Sequence, residues 1–235
     1  MNTSTSGIKI KDKFGYALGD LGGVLTFSLV SSFLQMFYTD SLHIPLEKIT
    51  ILMLVARIWD AVNDPMWGGF IDSRKPTRFG RFRPYIFGAS IPLAVAAVLM
   101  FTKIPGLSET QYFIFATVTY IFYGMMYTGT NIPYGALASA VTSDEIERSS
   151  LSIWRSIGSG IGGLPAMMIL PMLVYSVNAE TNVKYLDSGK LSACVAVLAV
   201  LSVGVYFLHT FLQPVRQSKK YYVCQKLNQH IYSLF

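Results

Sequence analysis

Six long apolar stretches, separated by short polar or Pro- and Gly-containing segments, dominate the pattern of hydrophobic and polar positions along the chain. A helix that crosses a bilayer needs about 20 mostly apolar residues. The six stretches reach that length and lie near Phe14–Tyr38, Leu46–Phe70, Pro84–Ile104, Gln111–Leu137, Leu151–Ser176 and Leu191–Leu212. None shows the alternating polarity of membrane β-strands. The pattern therefore predicts an all-α membrane protein with six transmembrane helices.

Positive charges are distributed unevenly between the segments that join these stretches. The chain has a net charge of +6 and is 14% charged, whereas soluble domains are about 25% charged. One set of segments holds Lys9, Lys11, Lys13, Arg74, Lys75, Arg78, Arg81, Arg83, Arg148, Arg216, Lys219, Lys220 and Lys226, and the opposite set only Lys48, Lys103, Lys184 and Lys190. This asymmetry predicts a multi-pass protein of the cell (inner) membrane with both termini in the cytoplasm.

The same distribution indicates partners and domain limits. Because the basic residues flank apolar stretches, they point to membrane lipid and not to nucleic acid. We expect a cytoplasmic N-terminus at residues 1–13, a six-helix transmembrane domain at residues 14–212 and a polar, basic cytoplasmic tail at residues 213–235.

Charged residues interrupt the second apolar stretch at its centre. At 100° per residue, Arg57, Asp60, Asn63 and Asp64 share one side of a helix. An unpaired charge at the bilayer centre costs about 2.5–3.5 kcal/mol on insertion scales, so such residues face a cavity or a partner. Arg57 and Asp60 can neutralise each other, but Asp64 leaves an anionic excess. Carboxylate and amide oxygens suit Na⁺, or a proton on one carboxyl group, so the pattern predicts a cation or proton site.

The segment after this stretch combines glycine, acidic and basic residues at a fixed spacing. Gly69, Asp72, Arg78, Gly80 and Arg81 resemble the signature loop between the second and third helices of major facilitator transporters. The arginines alone would also fit a positive-inside anchor, but the glycine and aspartate positions favour the resemblance. It implies a gating loop, in which charge pairs between helix ends help control the exchange of inward-closed and outward-closed states.

A narrower resemblance covers most of the chain. Its motifs are Gly15–Asp20, Phe37–Asp40, Val55–Pro65, Tyr123–Thr128, Asn131–Tyr134 and Glu147–Arg155. Together they are similar to the glycoside–pentoside–hexuronide:cation symporters, which include the melibiose carrier. The resemblance implies a sugar:cation symporter that couples sugar uptake to Na⁺ or H⁺ and needs no cofactor besides that cation.

The resemblance also implies a cation site, residue by residue. The family's cation ligands fall on Asp60, Asn63, Asp64 and Thr128. If the carrier is coupled to sodium, Asp60 and Asp64 would bind the Na⁺ ion directly.

The sugar site implied by the resemblance is only partly retained. The melibiose carrier's sugar positions correspond to Val24, Asn131, Gly135 and Arg155. Only Arg155 keeps its residue type, although Asn131 can bond a hydroxyl group. Tyr127 fits either the family's substrate aromatic or a packing role, and Asp20 either substrate binding or structural pairing. These changes argue against melibiose and leave another glycoside, a pentoside or a hexuronide open.

The number of helices bears on which function the chain can perform. Family members have about twelve helices in two halves, and the six stretches here resemble the amino-terminal half. The resemblance implies that transport needs a second half or a second copy of the chain. Two other classes remain open: an inactive truncated membrane fragment, and a small six-helix channel or scaffold whose carboxylates line a pore.

Other features predict structure and not chemistry. The Gly158–Gly163 run predicts close helix packing. We expect His43, His209 and His230 to be isolated from any metal site or proton relay. No nucleophile–base pair, His/Cys cluster or phosphate loop indicates an enzyme.

Overall fold

Six long helices and one short hairpin form the architecture of the chain, seen in a computed structural model that describes residues 8–74, 77, 80–142, 144–177 and 182–212. The helices are α1 (Ile10–Met36, continued by the π-helical turn Phe37–Ser41), α2 (Leu46–Ser73), α3 (Arg83–Met100), α4 (Glu109–Val141), α5 (Glu145–Val174, with a π-helical turn at Pro165–Ile169) and α6 (Ser188–Leu212). Strands β1 (Tyr175–Val177) and β2 (Lys184–Leu186) pair antiparallel between α5 and α6. The predicted all-α, six-helix fold is confirmed.

The helix ends differ from the expected limits. Helix α5 begins at Glu145 because Asp144 caps it, with its carboxylate accepting a hydrogen bond from the Ile146 backbone N–H. The Ser108 hydroxyl caps α4 by accepting a hydrogen bond from the Gln111 backbone N–H, and the Gln111 side chain accepts one from the Ser108 backbone N–H. Ser176, expected to end the fifth span, lies instead in β1. Polar residues that favour caps therefore lengthen the helices beyond their apolar cores.

The six helices are not equally apolar. Four described segments are long and apolar enough to cross a membrane: Ile10–Ser41, Arg83–Met100, Glu145–Val174 and Ser188–Leu212. Helices α2 and α4 have the length but not the apolarity. Helix α2 carries three charges near its middle, and α4 is rich in tyrosine, threonine and glycine. The two helices that fall short are thus the two that carry the predicted cation ligands.

Close packing joins α1 to α5. A Cβ atom added at Gly158 would lie 2.1 Å from the Ala17 carbonyl oxygen, and one at Gly162 would lie 2.8 Å from the Leu21 carbonyl oxygen. Glycine at these two positions lets the backbones of α1 and α5 approach closely. The predicted role of the glycine run is confirmed.

Helices α2 and α4 pack side by side and run in the same direction. Near their first turns, the Lys48 Nζ atom lies 2.6 Å from Glu109 Oε1. Helix α1 is tied to α5 at the opposite end of the bundle, where Lys13 Nζ lies 3.3 Å from Glu147 Oε2. Much of α2 outside the α4 contact is exposed, and its buried residues are Ile49, Leu52, Ala56, Asn63 and Ile71. The register of α2 on α4 decides which side chains meet in the middle of the bundle.

Candidate functional site

A polar cavity of about 200 Å³ lies between α1, α2 and α4. Its charged lining residues are Arg57, Asp60 and Asp64, all from α2. The remaining lining residues are Phe27, Val30, Ala56, Tyr120, Tyr123, Gly124, Tyr127, Thr128, Asn131 and Ile132. The structure thus brings the predicted cation ligands Asp60, Asp64 and Thr128 to the same cavity as the predicted sugar residues Tyr127 and Asn131.

A hydrogen bond joins the two helices at the base of this site. The Thr128 hydroxyl donates to Asp64 Oδ1 over 2.9 Å. One turn earlier on each helix, Gly124 faces Asp60, and a Cβ atom at Gly124 would lie 3.1 Å from Asp60 Oδ1. The Asp60–Gly124 and Asp64–Thr128 contacts thus lie four residues apart on both helices. This spacing places two carboxylates and one hydroxyl on a shared surface.

The charge of the cavity is not balanced within the described residues. Arg57 Nη1 lies 3.8 Å from Asp60 Oδ2, and the Arg57 side chain is 73% exposed. A pair this long and this exposed is weak. Asp64 has the Thr128 hydroxyl as its partner, and a hydroxyl does not neutralise a carboxylate. The lining thus keeps an anionic excess.

Asn63 lies apart from the other predicted cation ligands. Its side chain is 3% exposed, and it is not among the residues that line the cavity in the described part of the chain. Its Nδ2 atom is buried and donates to no described acceptor. A role for the Asn63 side chain in cation binding therefore stays a prediction.

Each of the two helices contains a proline close to the site. Pro65 follows Asp64 in α2, and Pro133 lies five residues after Thr128 in α4. Because proline has no N–H, the carbonyl groups four residues earlier, at Ala61 and Gly129, lose their usual helical donor. These backbone oxygens add acceptors to the region of the site.

The donor set suits a monovalent cation better than a transition metal. Asp60, Asp64 and Thr128 offer hard oxygen ligands, which sodium and protons accept. No group of three or more His, Cys, Asp or Glu side chains that could hold a metal ion occurs among the described residues.

A second polar cluster lies where α1, α4 and α5 meet. Arg155 Nε lies 3.2 Å from Asp20 Oδ1, and the Arg155 guanidinium lies 5.2 Å from the centre of the Tyr134 ring. Tyr134 stacks on Tyr16 at 4.7 Å and donates a hydrogen bond to the Tyr16 carbonyl oxygen. Unlike the cavity lining, this cluster has no net charge, because the Asp20 and Arg155 charges compensate each other.

Tyr127 connects the two regions. Its ring stacks between Phe27 at 5.2 Å and Tyr123 at 6.1 Å in the cavity wall. Two turns further along α4, the Tyr134 ring contacts Arg155. The four predicted sugar residues are therefore divided: Tyr127 and Asn131 line the cavity, whereas Asp20 and Arg155 form an ion pair beside it.

Comparison with known proteins identifies the family. The family model described as MFS/sugar transport protein matches residues 15–226. The chain belongs to this family. The inner membrane symporter YicJ of Escherichia coli is 32% identical over 87% of this chain and 42% of the relative. The isoprimeverose transporter of Lactiplantibacillus pentosus is 35% identical over 84% of this chain and 40% of that protein.

The matched relatives are longer than this chain. The uncharacterized symporter YnaJ of Bacillus subtilis is 39% identical over 71% of this chain and 35% of the relative. The chain thus spans less than half of the length of these curated relatives. As a member of the MFS/sugar transport family with long apolar helices, it is an integral membrane protein.

The family's loop between α2 and α3 is organised around Arg81. Its Nη2 donates to the Asp72 backbone oxygen at 2.6 Å and lies 3.1 Å from Asp72 Oδ1, and its guanidinium also bonds the Ile71 carbonyl oxygen. Gly80 has a φ of 104°, a conformation that favours glycine. Gly69 lies on an exposed part of α2 where a Cβ atom would meet nothing within 4 Å. Arg78 lies outside the described residues.

Several residues of the site were not predicted. Gly124, Tyr120 and Tyr123 line the cavity, and only the four-residue spacing of Gly124 and Thr128 could have indicated their shared face with Asp60 and Asp64. The sequence also did not predict the contacts of His209. His209 is fully buried, its Nδ1 donates to the Gly15 carbonyl oxygen, and its ring packs on Tyr134.

Proposed function

We propose that this chain forms the amino-terminal half of a sugar:cation symporter, with its cation site on α2 and α4. The observation that carries the proposal is the Thr128–Asp64 hydrogen bond inside a cavity that keeps an anionic excess. We assign the cation, Na⁺ or H⁺, to Asp60, Asp64 and Thr128, with Asn63 supporting this part of α2. The family and the names of the matched relatives support a transporter and not an enzyme.

The sugar would bind next to the cation. Tyr127 offers an aromatic face and Asn131 an amide, the groups that commonly bind a sugar ring and its hydroxyls. The Asp20–Arg155 pair would bind further hydroxyls by opening toward the cavity. The cation reduces the local negative charge and so stabilises the sugar-ready arrangement of the site. By linkage, each ligand raises the affinity for the other by the same factor.

A second half would close this cavity. The volume of about 200 Å³ is below the roughly 300–1,000 Å³ usual for ligand pockets. Arg57 is 73% exposed beside it, which is costly against lipid. We infer that a second transporter half, or a second copy of this chain, covers the exposed face of α2 and completes the sugar site. Rocking of the two halves would then move sugar and cation together across the membrane.

The orientation follows from charge. The loop between α2 and α3 carries Arg74, Lys75, Arg78 and Arg81, so we assign this loop to the cytoplasm. The turn between α4 and α5 and both termini then lie on the same side. The membrane would be the inner membrane of the cell.

Binding of radioactive sodium to the purified chain tests the cation site. Wild type should bind sodium saturably. Asp64→Asn should weaken binding at least about tenfold, because the neutral amide removes the anionic excess. Asp40→Asn is the matched control, since Asp40 lies at the far end of α1 and bonds only Thr39 among the described residues. Equal sodium affinity in wild type and Asp64→Asn would place the site elsewhere.

Proton coupling requires a second readout. Isoprimeverose is a suitable probe, since a relative is named as its transporter. In cells that express the chain with the remaining half of YicJ, uptake should depend on a sodium or a proton gradient. Uptake should be lost in Asp64→Asn under either gradient. Gradient-driven uptake by that variant would contradict the assignment.

A further inference from the structure

A second cavity lies between the beginning of α3 and the end of α6, away from the cation site. It measures about 490 Å³ and is lined by Arg83, Pro84, Phe87, Phe207, Thr210 and Phe211. None of these residues lines the cation cavity. We call it the α3–α6 groove.

One wall of the groove is aromatic and open to the surroundings. The Phe207 ring centre lies 6.0 Å from that of Phe87 and 4.6 Å from that of Phe211. Phe211 is 72% exposed, and the other two rings are partly exposed. On a membrane-spanning bundle, such a wall faces the lipid chains.

The groove lining also includes Arg83, a buried cation for which the described residues supply no ion-pair partner. Arg83 is the first residue of α3 and is 9% exposed. Its Nη2 atom is buried and donates to no acceptor among the described residues. Within the same residues, no carboxylate lies within ion-pair distance of it.

Arg81, the other buried arginine of this region, has the partners that Arg83 lacks among the described residues. Its guanidinium is equally buried, but it bonds the Ile71 and Asp72 carbonyl oxygens and the Asp72 carboxylate. A buried charge is stable only when it is paired and hydrogen-bonded. Arg83 therefore requires an anion from outside the described residues, and the groove is where that anion can enter. The positive end of the α3 dipole favours an anion at the same point.

We propose that the α3–α6 groove binds an anionic phospholipid, with its phosphate on Arg83 and an acyl chain along Phe87, Phe207 and Phe211. A free phosphate would leave the aromatic wall unused. A choline or ethanolamine head group would bring an ammonium group, for which the groove lining provides no carboxylate. The lipid belongs to the leaflet beside the α2–α3 loop, the cytoplasmic one in the orientation proposed above. Basic pockets between helices on that side are known to bind anionic head groups.

Lipid retention by the purified full-length chain tests the proposal. The chain in a non-ionic detergent is mixed with phosphatidylglycerol, phosphatidylcholine or diacylglycerol of identical acyl chains, or with inorganic phosphate. Native mass spectrometry counts bound lipid, and thermal unfolding reports stabilisation. Wild type should retain phosphatidylglycerol in preference to the other lipids. Inorganic phosphate should compete only weakly, because it lacks the acyl chains.

Two variants locate the lipid. Arg83→Gln should weaken phosphatidylglycerol retention about tenfold or more, as expected when a hydrogen bond to a charged group is lost. Arg74→Gln is the matched control: Arg74 is an exposed arginine at the end of α2 that lies 4.8 Å from the Phe70 ring centre, outside the groove. Arg74→Gln should retain the lipid as wild type does.

The proposal is overturned if Arg83→Gln retains phosphatidylglycerol as wild type does. It is also overturned if wild type binds phosphatidylglycerol and phosphatidylcholine equally, or if inorganic phosphate alone displaces the lipid at similar concentration. Should Arg83→Gln fail to fold, Phe211→Ser decides, because Phe211 is largely exposed and its loss spares the core. That variant should weaken phosphatidylglycerol retention roughly threefold by the loss of apolar contact, and unchanged retention would count against the lipid.

Discussion

The two polar regions in the middle of the bundle differ in how their carboxylates are compensated. On α2 and α4, Asp64 lines a cavity and accepts a hydrogen bond from the Thr128 hydroxyl, its only side-chain partner among the described residues. Between α1 and α5, Asp20 is paired with Arg155, and Arg155 lies over the Tyr134 ring. The first region keeps an anionic excess, for which we propose a cation from outside. In the second region the charges of Asp20 and Arg155 compensate each other, and the pair can stay closed or open toward the cavity.

The largest effect is expected from a variant that separates α1 and α5, the helices that hold the Asp20–Arg155 pair. Gly158→Val should prevent folding, since its Cβ would lie 2.1 Å from the Ala17 carbonyl oxygen and the backbone cannot move aside. Gly160→Val is the control, because a Cβ there meets nothing within 4 Å. Size-exclusion chromatography of the detergent-solubilised chains gives the answer. A monodisperse Gly158→Val protein would mean that α1 and α5 are less tightly joined than the structure indicates.

The next largest effect is expected from breaking the ion pair from either side. Arg155→Gln should destabilise the chain more than Asp20→Asn does, by roughly 1–3 kcal/mol. The Asp20 side chain is 13% exposed and would be left as a buried charge, whereas Arg155 is 40% exposed and can be hydrated. The double variant should recover part of the loss. Thermal unfolding of the four proteins measures this cycle, and additive effects would show that the two side chains do not depend on each other.

A smaller effect is expected at the hydroxyl that joins α2 to α4. Thr128→Val keeps the shape of the side chain and removes its donor, so sodium affinity should fall by about tenfold. Thr128→Ser keeps the hydroxyl and should remain within about threefold of wild type. Sodium titrations of the purified variants make the comparison. Similar affinities for the valine and serine variants would remove Thr128 from the site.

The smallest expected effect is at Gly124. Gly124→Ala places a methyl group 3.1 Å from Asp60 Oδ1, so the carboxylate must shift by a few tenths of an ångström. We expect sodium affinity to change by about two- to threefold. Gly135→Ala, where a Cβ meets nothing within 4 Å, should bind as wild type does. A loss as large as that of Asp64→Asn would mean that Asp60, and not Asp64, is the principal ligand.

The sequence predicts the helices well because the length of an apolar run is a local property. It also predicts that Asp60 and Asp64 share a face, because the helical period determines that face. The period does not determine how far one helix is shifted along another. The meeting of Asp64 with Thr128 was therefore expected only from a resemblance, and the meeting of Asp60 with Gly124 was not expected at all.

Other differences have the same origin. The contacts of His209 were not predicted because its partners, the Gly15 carbonyl oxygen and the Tyr134 ring, lie on other helices. Asn63 was expected at the cavity with Asp60 and Asp64, yet its side chain is buried and does not line the cavity. The β1–β2 hairpin was not predicted, and Tyr175 and Ser176 of β1 were expected at the end of the fifth span. Its strands have three residues each, too few for an alternating pattern to be recognised.

The limited apolarity of α2 and α4 also bears on how the protein is made. Each charge of α2 would cost about 2.5–3.5 kcal/mol at the bilayer centre if the helix entered lipid alone. Helix α4 supplies the Thr128 hydroxyl and the Lys48–Glu109 contact, but it is synthesised later. Helix α2 would therefore remain beside the insertion machinery until α4 emerges, and the pair would enter the bilayer together. The side chains proposed to hold the cation would thus also influence when α2 and α4 enter the bilayer during synthesis.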